Sequence, residues 1–239
     1  MVEGLPKISI IVPTFNEVDN IEDLIVGLRA ALRDMDYQVV VVDDNSPDGT
    51  YYAVKQIAER DSHVMPLLRQ SKQGLASAIV HGYRESDGKI IVMMDSDLSH
   101  RPQDLPALLE AVKDTDIVIG SRYVDGGSIF GMSPYRKLAS RVSIGISRMM
   151  LGLPYEDTTS GFAVFRRGVL DYVAPKLEPA GFKLLLEVLV KCPEAQVKEA
   201  PITFVNRRKG QSKFGPGEVF KFLRMCFRLR QQRERENSG

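Results

Sequence analysis

Short, largely apolar runs alternate with amphipathic stretches through the first hundred residues. In the first amphipathic stretch the apolar residues recur at helical spacing, as at Ile21, Leu24 and Leu28. The apolar runs are too short for buried helices and are typical of strands covered on both faces. This alternation predicts an α/β fold with a mostly parallel sheet flanked by helices, because parallel neighbours need crossover connections.

The same pattern gives the approximate bounds of the elements. Predicted strands cover 8–12, 38–42, 64–68, 90–94, 116–120 and 197–205, and predicted helices cover 21–32, 50–60, 74–85, 104–113, 133–151 and 219–233. Pro201 has no backbone N–H to donate, so we expect the strand at 197–205 to lie at a sheet edge.

Five apolar residues run directly into two carboxylates at Ile90–Asp97. If strand geometry persists, Asp95 and Asp97 point to the same side, because side chains alternate with period two. Two such carboxylates repel each other unless a cation lies between them, and Mg²⁺ or Mn²⁺ shared with phosphate oxygens fits that need. The alternative is a solvated acidic loop, since an Asp-x-Asp pattern alone is weak.

Three polar loops follow predicted strands, at 13–17, 43–50 and 95–101. The carboxyl ends of parallel strands open on one edge of a sheet, where ligands bind in folds of this kind. We therefore expect the three loops to form one site that is large enough for a nucleotide.

Composition sets the limits for these interpretations. The 239 residues are 44% apolar, which suits one large domain with an appendage, and the two cysteines offer neither a metal spacing nor a disulfide framework. We expect a reducing compartment, no signal peptide and no transmembrane segment. Residues 207–236 carry ten basic and three acidic residues, which leaves the rest of the chain acidic and suggests an anionic partner.

The basic end of the chain includes an amphipathic helical pattern. One side of the predicted helix carries Val219, Phe220, Phe222, Leu223, Cys226, Phe227 and Leu229. Lys221, Arg224 and Arg228 fall on the opposite side, as in helices that lie in a membrane interface. The alternatives are a frayed terminus, or a helix packed on the domain or on the transmembrane segment of a small membrane-anchoring subunit.

Six motifs occur in order along the chain. They are Ile11-Val12-Pro13-Thr14-Phe15-Asn16-Glu17, Val42-Asp43-Asp44-Asn45-Ser46-Pro47-Asp48-Gly49-Thr50, Met94-Asp95-Ser96-Asp97-Leu98-Ser99-His100-Arg101-Pro102, Gly120-Ser121-Arg122-Tyr123, Thr159-Ser160-Gly161-Phe162 and Gly210-Gln211-Ser212-Lys213. Together they closely resemble the dolichyl-phosphate (polyprenol monophosphate) mannose synthases, inverting glycosyltransferases of family 2 with the GT-A fold. The resemblance covers about residues 8–213. It implies a GT-A catalytic domain at 1–215 and a basic amphipathic tail at 216–239.

The resemblance also implies an activity and a set of site residues. Mannose would pass from GDP-mannose to dolichyl or another polyprenyl phosphate, giving a β-mannosyl phosphate, with Mg²⁺ or Mn²⁺ as cofactor. Asp97, Arg122 and Lys213 would be catalytic, and Asp95, Asp97 and Ser99 would hold the metal. The nucleotide sugar would bind Pro13, Phe15, Glu17, Val42, Asp44, Asp95, Ser96, Asp97, Arg122, Arg207 and Lys213, and the acceptor phosphate would bind Ser133, Arg136 and Lys137.

Two residues depart from the family pattern. Phe15 stands where the family usually has Tyr, and Ala163 stands where many members have Arg. The expected location is peripheral, on the cytoplasmic face of a membrane, with no nucleic-acid partner because aromatic platforms do not interleave the basic residues.

Two other functions remain open from the residues. One is glucosyl transfer from UDP-glucose to the same lipid, since the motifs do not decide between GDP and UDP. The other is a non-catalytic binding subunit with the same fold, which we would expect to lose one of Asp95, Asp97, Arg122 or Lys213. All four are present.

Overall fold

The structure, a computed structural model, describes residues 6–71, 74–177, 183–206 and 216–236. Its strands are β1 Ile8–Thr14, β2 Tyr37–Asp43, β3 Val64–Leu68, β4 Ile90–Met93, β5 Ile117–Ser121, β6 Ser128–Phe130, β7 Ala163–Arg166, β8 Val197–Pro201 and β9 Thr203–Val205. Its α-helices are α1 Val18–Ala31, α2 Thr50–Ala58, α3 Leu75–Glu85, α4 Leu105–Ala111, α5 Pro134–Leu151, α6 Arg167–Val173, α7 Leu184–Lys191 and α8 Pro216–Glu236. Short 3₁₀ turns cover Pro102–Asp104, Val112–Asp114 and Ala174–Lys176.

Seven strands form the main sheet in the order β3-β2-β1-β4-β7-β5-β8. β1 pairs in parallel with β2 and β4, and β2 pairs in parallel with β3. The predicted α/β fold with a mostly parallel sheet is therefore confirmed. The carboxyl ends of β1, β2 and β4 meet on one edge, as expected of the loops that follow them.

The strand β7 was not predicted. It lies antiparallel between β4 and β5, with Ala163 opposite both Met93 and Ile119. Only four residues long, it follows a polar turn directly, so its sequence shows neither clear alternation nor a long apolar run. Because β7 starts at the edge where β4 ends, the turn before it faces the same edge of the sheet.

The predicted single strand at 197–205 is wrong, because the structure divides it between two sheets. β8 pairs with β5 at the edge of the main sheet, which confirms the edge position expected from Pro201. β9 pairs with β6 in a separate two-stranded sheet. Ile202 joins the two sheets, since its N–H donates to Ser121 O and its carbonyl accepts from Ser128 N–H.

Alternating strand residues build two apolar layers, one on each face of the main sheet. On one face, Ile11 and Val40 pack with residues of α3, α6, α7 and α8. On the other face, Ile10 and Val92 pack with residues of α1, α2 and α4. The period of two along each strand therefore gives both faces a buried core and leaves the strand ends for the site.

The helix α8 belongs to the first of these layers. Phe222, Met225, Cys226 and Leu229 are buried in it, whereas Val219, Phe220, Leu223 and Phe227 are exposed. The single apolar side predicted from the sequence is therefore two adjacent strips, one packed on the domain and one facing solvent. The predicted boundary at residue 215 stays a prediction, since residues 207–215 lie outside those described.

The packing of α8 on the domain can be tested with the same substitution, leucine to alanine, at a buried position and at an exposed position. Leu229 is fully buried, whereas Leu223 is 39% exposed, only six positions earlier on the same helix. We expect Leu229→Ala to lower the free energy of unfolding by about 3 kcal/mol, from lost burial and the cavity left behind. Leu223→Ala should cost about 1 kcal/mol or less. Urea titration of both variants measures the difference, and equal losses would mean that α8 is not part of the core.

Candidate active site

A cleft of ≈ 220 Å³ opens at the carboxyl ends of β1, β2 and β4. Seven of the residues predicted to bind a nucleotide sugar line its walls, and one of them, Asp97, is also predicted to be catalytic. These residues are Pro13, Phe15, Glu17, Asp44, Asp95, Ser96 and Asp97. Thr14, Gly74, Leu75 and Ala78 complete the lining and had no predicted role. The three loops are thus brought together as the sequence predicted.

Hydrogen bonds between the first two loops fix one wall of the cleft. The Asp43 carboxylate accepts from the hydroxyls of Thr14 and Ser46, at 2.8 and 2.6 Å, and from the Ser46 N–H at 2.8 Å. Asp48 accepts from the Val18 N–H and from Thr50. The Asp43 carboxylate is therefore occupied by hydrogen bonds within the loops, which is a turn-capping role.

Asp44 is differently placed. Its Oδ1 lies 3.1 Å from the Arg69 Nε, and both side chains are buried. The same oxygen accepts no well-aligned hydrogen bond from any described residue. Arg69 also donates to the Ser77 hydroxyl, and so ties Asp44 to the start of α3. Asp44 lines the cleft as a residue, and its contact with a ligand donor stays a prediction.

Val42 contributes nothing to the walls through its side chain, which is fully buried. Its carbonyl lies 3.5 Å from the Thr14 hydroxyl. The prediction for Val42 concerned its backbone only, and it stays a prediction.

The second wall carries the two carboxylates. Strand β4 ends at Met93, so Asp95 and Asp97 lie on a loop rather than on a continued strand. The Ser99 N–H donates to Asp97 Oδ1 at 3.0 Å, and the Ser99 hydroxyl donates to the same oxygen. Between them Leu98 takes a φ of +59°, which is unusual for a bulky residue. The loop thus turns sharply, and Ser99 orients the Asp97 carboxylate.

The residues present can hold a divalent cation only together with oxygen atoms of a bound substrate or of water. Asp95 and Asp97 supply hard oxygen donors on one wall of the cleft. Within the described ranges, no group of three His, Cys, Asp or Glu side chains is arranged to hold an ion. Mg²⁺ and Mn²⁺ sites often use one or two carboxylates and complete their ligands with phosphate oxygens and water. Ser99 as a metal ligand stays a prediction.

His100 backs the acidic loop as a neutral side chain. Its Nδ1 lies 3.4 Å from the Asp95 N–H and 3.7 Å from Asp95 Oδ2, and its ring packs against Phe162 and Phe204. Burial lowers the pKa of His100 because the charged imidazolium is costly in an apolar environment, although the nearby carboxylates act in the opposite direction. A neutral imidazole can accept the Asp95 N–H and adds no charge to the site.

Arg122 follows β5 and forms a buried ion pair. Its Nε and Nη2 donate to the two Asp157 carboxylate oxygens, each at 2.7 Å. The guanidinium also lies over the rings of Tyr123 and Phe204, with 5.3 and 5.4 Å to the ring centroids. Its pKa is raised chiefly by Asp157, which outweighs the opposing effect of burial, so Arg122 is a permanent cation.

Gly161 is a residue whose importance the sequence did not reveal. A Cβ at this position would lie 2.6 Å from Asp95 Oδ2 and 3.1 Å from His100 Cε1. The glycine therefore lets the Asp95 carboxylate pack directly against the turn before β7. The predicted acidic loop and the Thr-Ser-Gly-Phe motif are separate in sequence, and only their contact in the fold gives Gly161 a role.

The residues predicted for the acceptor phosphate lie at the start of α5. The Ser133 hydroxyl accepts from the Arg136 N–H at 3.4 Å and caps the helix. The Arg136 side chain donates to Asn206 Oδ1 at 2.8 Å, and the Lys137 N–H donates to Ser133 O. Arg136 is thus linked to the residue after β9, whose Phe204 contacts His100. Arg207 and Lys213 fall outside the described residues.

Comparison with known proteins identifies the family. The sequence profile of Glycosyl transferase family 2 matches residues 9–173, which run from the second residue of β1 to the end of α6 and include five of the six motifs. The chain belongs to glycosyltransferase family 2. The resemblance stated from the six motifs is therefore confirmed at the level of the family.

Curated relatives of this family 2 chain act on lipid phosphates, according to their names. A dolichol-phosphate mannosyltransferase of Pyrococcus furiosus is 40% identical over 227 residues, which are 93% of this chain and 63% of that protein. An undecaprenyl-phosphate mannosyltransferase of Micrococcus luteus is 38% identical over 89% of each chain. A dolichol-phosphate mannosyltransferase of Saccharomyces cerevisiae is 32% identical over 92% of this chain and 86% of its own. The chain thus spans less than two thirds of the Pyrococcus relative.

Two solved structures share the fold of this family 2 chain. A mannosyltransferase from Pyrobaculum calidifontis, in complex with GDP-Man and Mn²⁺, aligns with a TM-score of 0.64 at 20% identity, over 88% of this chain and 59% of that one. A glucosyl-3-phosphoglycerate synthase from Mycobacterium tuberculosis, in complex with Mn²⁺, UDP and glucosyl-3-phosphoglycerate, aligns with a TM-score of 0.69 at 19% identity, over 95% of this chain and 80% of that one. These likenesses support the fold.

The contact between Gly161 and Asp95 gives a test of the site. We expect Gly161→Ala to turn the Asp95 side chain away from its present position and to weaken binding of GDP with Mn²⁺ about tenfold, as supporting contacts around metal ligands commonly do. Stability should fall only modestly, because the closest atom belongs to the Asp95 side chain, although the buried His100 ring at 3.1 Å must also shift slightly. Calorimetric titration measures the affinity, with Gly168→Ala as control, since a Cβ there meets nothing within 4 Å. Unchanged affinity in Gly161→Ala would separate Asp95 from ligand binding.

Proposed function

We propose that this chain transfers mannose from GDP-mannose to a polyprenyl phosphate, with inversion at the anomeric carbon. The observation that carries the proposal is the placement of Asp95 and Asp97 on one wall of a cleft at the sheet edge. The names of the curated relatives agree with the proposal, since they are mannosyltransferases of polyprenyl phosphates. The Pyrobaculum structure with GDP-Man and Mn²⁺ has the same fold and agrees with the proposed donor.

The chemistry needs positioning and charge more than a base. A phosphate oxygen of the acceptor attacks the mannose anomeric carbon while the bond from that carbon to the β-phosphate oxygen breaks, which releases GDP. The acceptor is already ionised near neutral pH, since the second pKa of a phosphate monoester is about 6. No strong general base is therefore required, and holding the two reactants in line supplies much of the rate.

Negative charge grows on the β-phosphate as the sugar leaves. Arg122, a permanent cation held next to the acidic loop, is suited to binding that diphosphate, and Arg207 and Lys213 are proposed to assist. Asp95 and Asp97 would hold Mg²⁺ or Mn²⁺, which supplies further positive charge to the diphosphate. Asp44, Phe15 and Glu17 would contact the nucleoside, and Ser133, Arg136 and Lys137 the acceptor phosphate.

The lipid acceptor requires contact with a membrane. Among the described residues, no helix combines the length and the apolarity that crossing a bilayer requires. Two helices that pack together, α5 and α8, nevertheless expose apolar side chains: Tyr135, Leu138, Val142 and Met149 on α5, and Val219, Phe220, Leu223 and Phe227 on α8. We call these eight residues the α5–α8 face.

Exposed basic residues stand between the members of the α5–α8 face, at Arg141, Lys221 and Arg224. Apolar side chains that enter the headgroup region beside cations that pair with anionic lipids are typical of helices lying in a membrane interface. We infer that the protein binds peripherally to the cytoplasmic leaflet through this face. Arg136 lies at the start of α5, so the acceptor phosphate would meet the site near the membrane surface.

Replacement of one carboxylate tests the proposed reaction. We expect Asp97→Ala to reduce mannosyl transfer to a short-chain polyprenyl phosphate by about three orders of magnitude, as loss of charge stabilisation at the leaving group commonly does. The assay follows radiolabelled mannose into the lipid with Mn²⁺ present. Asp34→Ala, an exposed change in the loop before β2 at the opposite sheet edge, should leave turnover unchanged. Metal-dependent turnover that survives in Asp97→Ala would overturn the metal assignment.

Liposome flotation tests the α5–α8 face. We expect Phe220→Ser with Phe227→Ser to weaken binding to anionic liposomes about tenfold or more, because two exposed rings no longer enter the interface. The control pair is Val26→Ser with Tyr52→Ser, which are equally exposed on α1 and α2. Donor binding should persist in both. Equal liposome binding by the two double variants would remove the membrane role of α8.

A further inference from the structure

Asp157 is a fully buried carboxylate to which the six motifs assign no role. It accepts three hydrogen bonds from a single residue, Arg122, through the backbone N–H at 3.1 Å and through Nε and Nη2 at 2.7 Å each. The two side-chain bonds are a bidentate fork, which fixes the plane of the guanidinium as well as its position. Arg122 is therefore held along one edge by a residue far from it in sequence.

The surrounding turn is itself fixed to the sheet. The Glu199 carboxylate on β8 accepts from the backbone N–H groups of Glu156 and Asp157, at 2.7 and 3.0 Å. The Ser160 hydroxyl donates to Gly120 O on β5 at 2.7 Å, and the Thr159 hydroxyl accepts from Arg122 Nη2 at 3.3 Å. Asp157 thus has little freedom to follow Arg122 if the guanidinium moves.

Stability alone does not account for this pair. Burying two charges costs desolvation energy that their attraction often only offsets, so a buried ion pair is weak evidence of a stabilising role. The turn at 157–161 also reaches the acidic loop. Thr159 in this turn contacts Arg122, and Gly161 in the same turn packs against the Asp95 carboxylate. A strong cation and the carboxylate predicted to hold metal therefore lie against the same short turn.

We propose that Asp157 is a positioning residue that prevents Arg122 from pairing with Asp95. With Asp157 in place, the guanidinium is held by its Nε and Nη2 edge and bonds to Asp157 instead of Asp95. Without it, Arg122 turns to Asp95, which lies against the same turn, and competes with the metal. The inference rests on the proposed function only in that Asp95 binds a metal together with a nucleoside diphosphate.

This mechanism predicts a dependence between two substitutions. Asp157→Asn should raise the Mn²⁺ concentration needed for half-maximal GDP binding about tenfold, a size typical of residues that support metal ligands. In an Arg122→Ala background the same substitution should change that concentration by about twofold or less, because no cation remains to compete for Asp95. Comparison within each background removes the direct contribution of Arg122 to GDP binding.

The experiment is calorimetric titration with GDP over a series of Mn²⁺ concentrations, for wild type, Asp157→Asn, Arg122→Ala and the double variant. Asp61→Asn is the matched control, since it removes a charge from another buried carboxylate paired with an arginine, Arg29, remote from the cleft. It should alter stability without altering the Mn²⁺ dependence. Thr159→Val, which removes one hydrogen bond from Arg122, should shift the Mn²⁺ dependence in the same direction and carries the test if Asp157→Asn does not fold.

The outcomes separate this inference from the proposed function. An equal Mn²⁺ penalty for Asp157→Asn in both backgrounds would overturn the positioning role, as would no penalty in either. A wild-type protein that binds UDP in place of GDP contradicts the proposed donor, and the same series with UDP then decides the role of Asp157. Wild-type binding that needs no metal overturns both.

Discussion

Asp95 and Asp97 place two carboxylates in one cleft, on the loop after a buried strand, and contacts around them limit the repulsion between their charges. Ser99 donates two hydrogen bonds to Asp97, and His100 stays neutral behind Asp95. A permanent cation, Arg122, is held nearby, but its charge is directed into Asp157. The contacts made by Ser99, His100 and Asp157 therefore hold the charged groups around the cleft in fixed positions.

The sheet makes this arrangement possible because it brings three strand ends to one edge. The apolar runs at β1, β2 and β4 could be predicted, since strands covered on both faces leave a local signature that needs no knowledge of the rest of the fold. Eight of the residues that line the cleft belong to the loops predicted after these strands and follow from the same argument, whereas Gly74, Leu75 and Ala78 do not. Pro13, Asp44 and Asp95 each come just after a predicted strand, and parallel topology then requires that they meet.

What could not be predicted depends on contacts between distant segments. β7 is only four residues long, and it becomes a strand because β4 and β5 leave a position between them. Asp157 has no local pattern that distinguishes it from an ordinary turn residue, and the motif that contains Gly161 does not show what the glycine contacts. Their roles come from Arg122 and Asp95, 35 and 66 residues earlier.

The helix α8 shows the same limit in another form. Its periodicity identified the apolar residues, but periodicity cannot tell which of them meet the domain and which face solvent. Leu229 packs in the core, while Phe220 and Phe227 remain exposed beside basic residues. Ala163 is fully buried between β4 and β5, so the Arg expected at this position from the family resemblance would need a different local packing.

The measurement that tests the central claim most directly is calorimetric titration of the wild-type protein with GDP and UDP, each with and without Mn²⁺. A cleft that binds a nucleoside diphosphate through Asp95, Asp97 and a shared cation predicts GDP binding that requires the metal and exceeds UDP binding about tenfold or more, equivalent to about 1.4 kcal/mol. GDP binding that is indifferent to Mn²⁺, or a preference for UDP, would contradict the account.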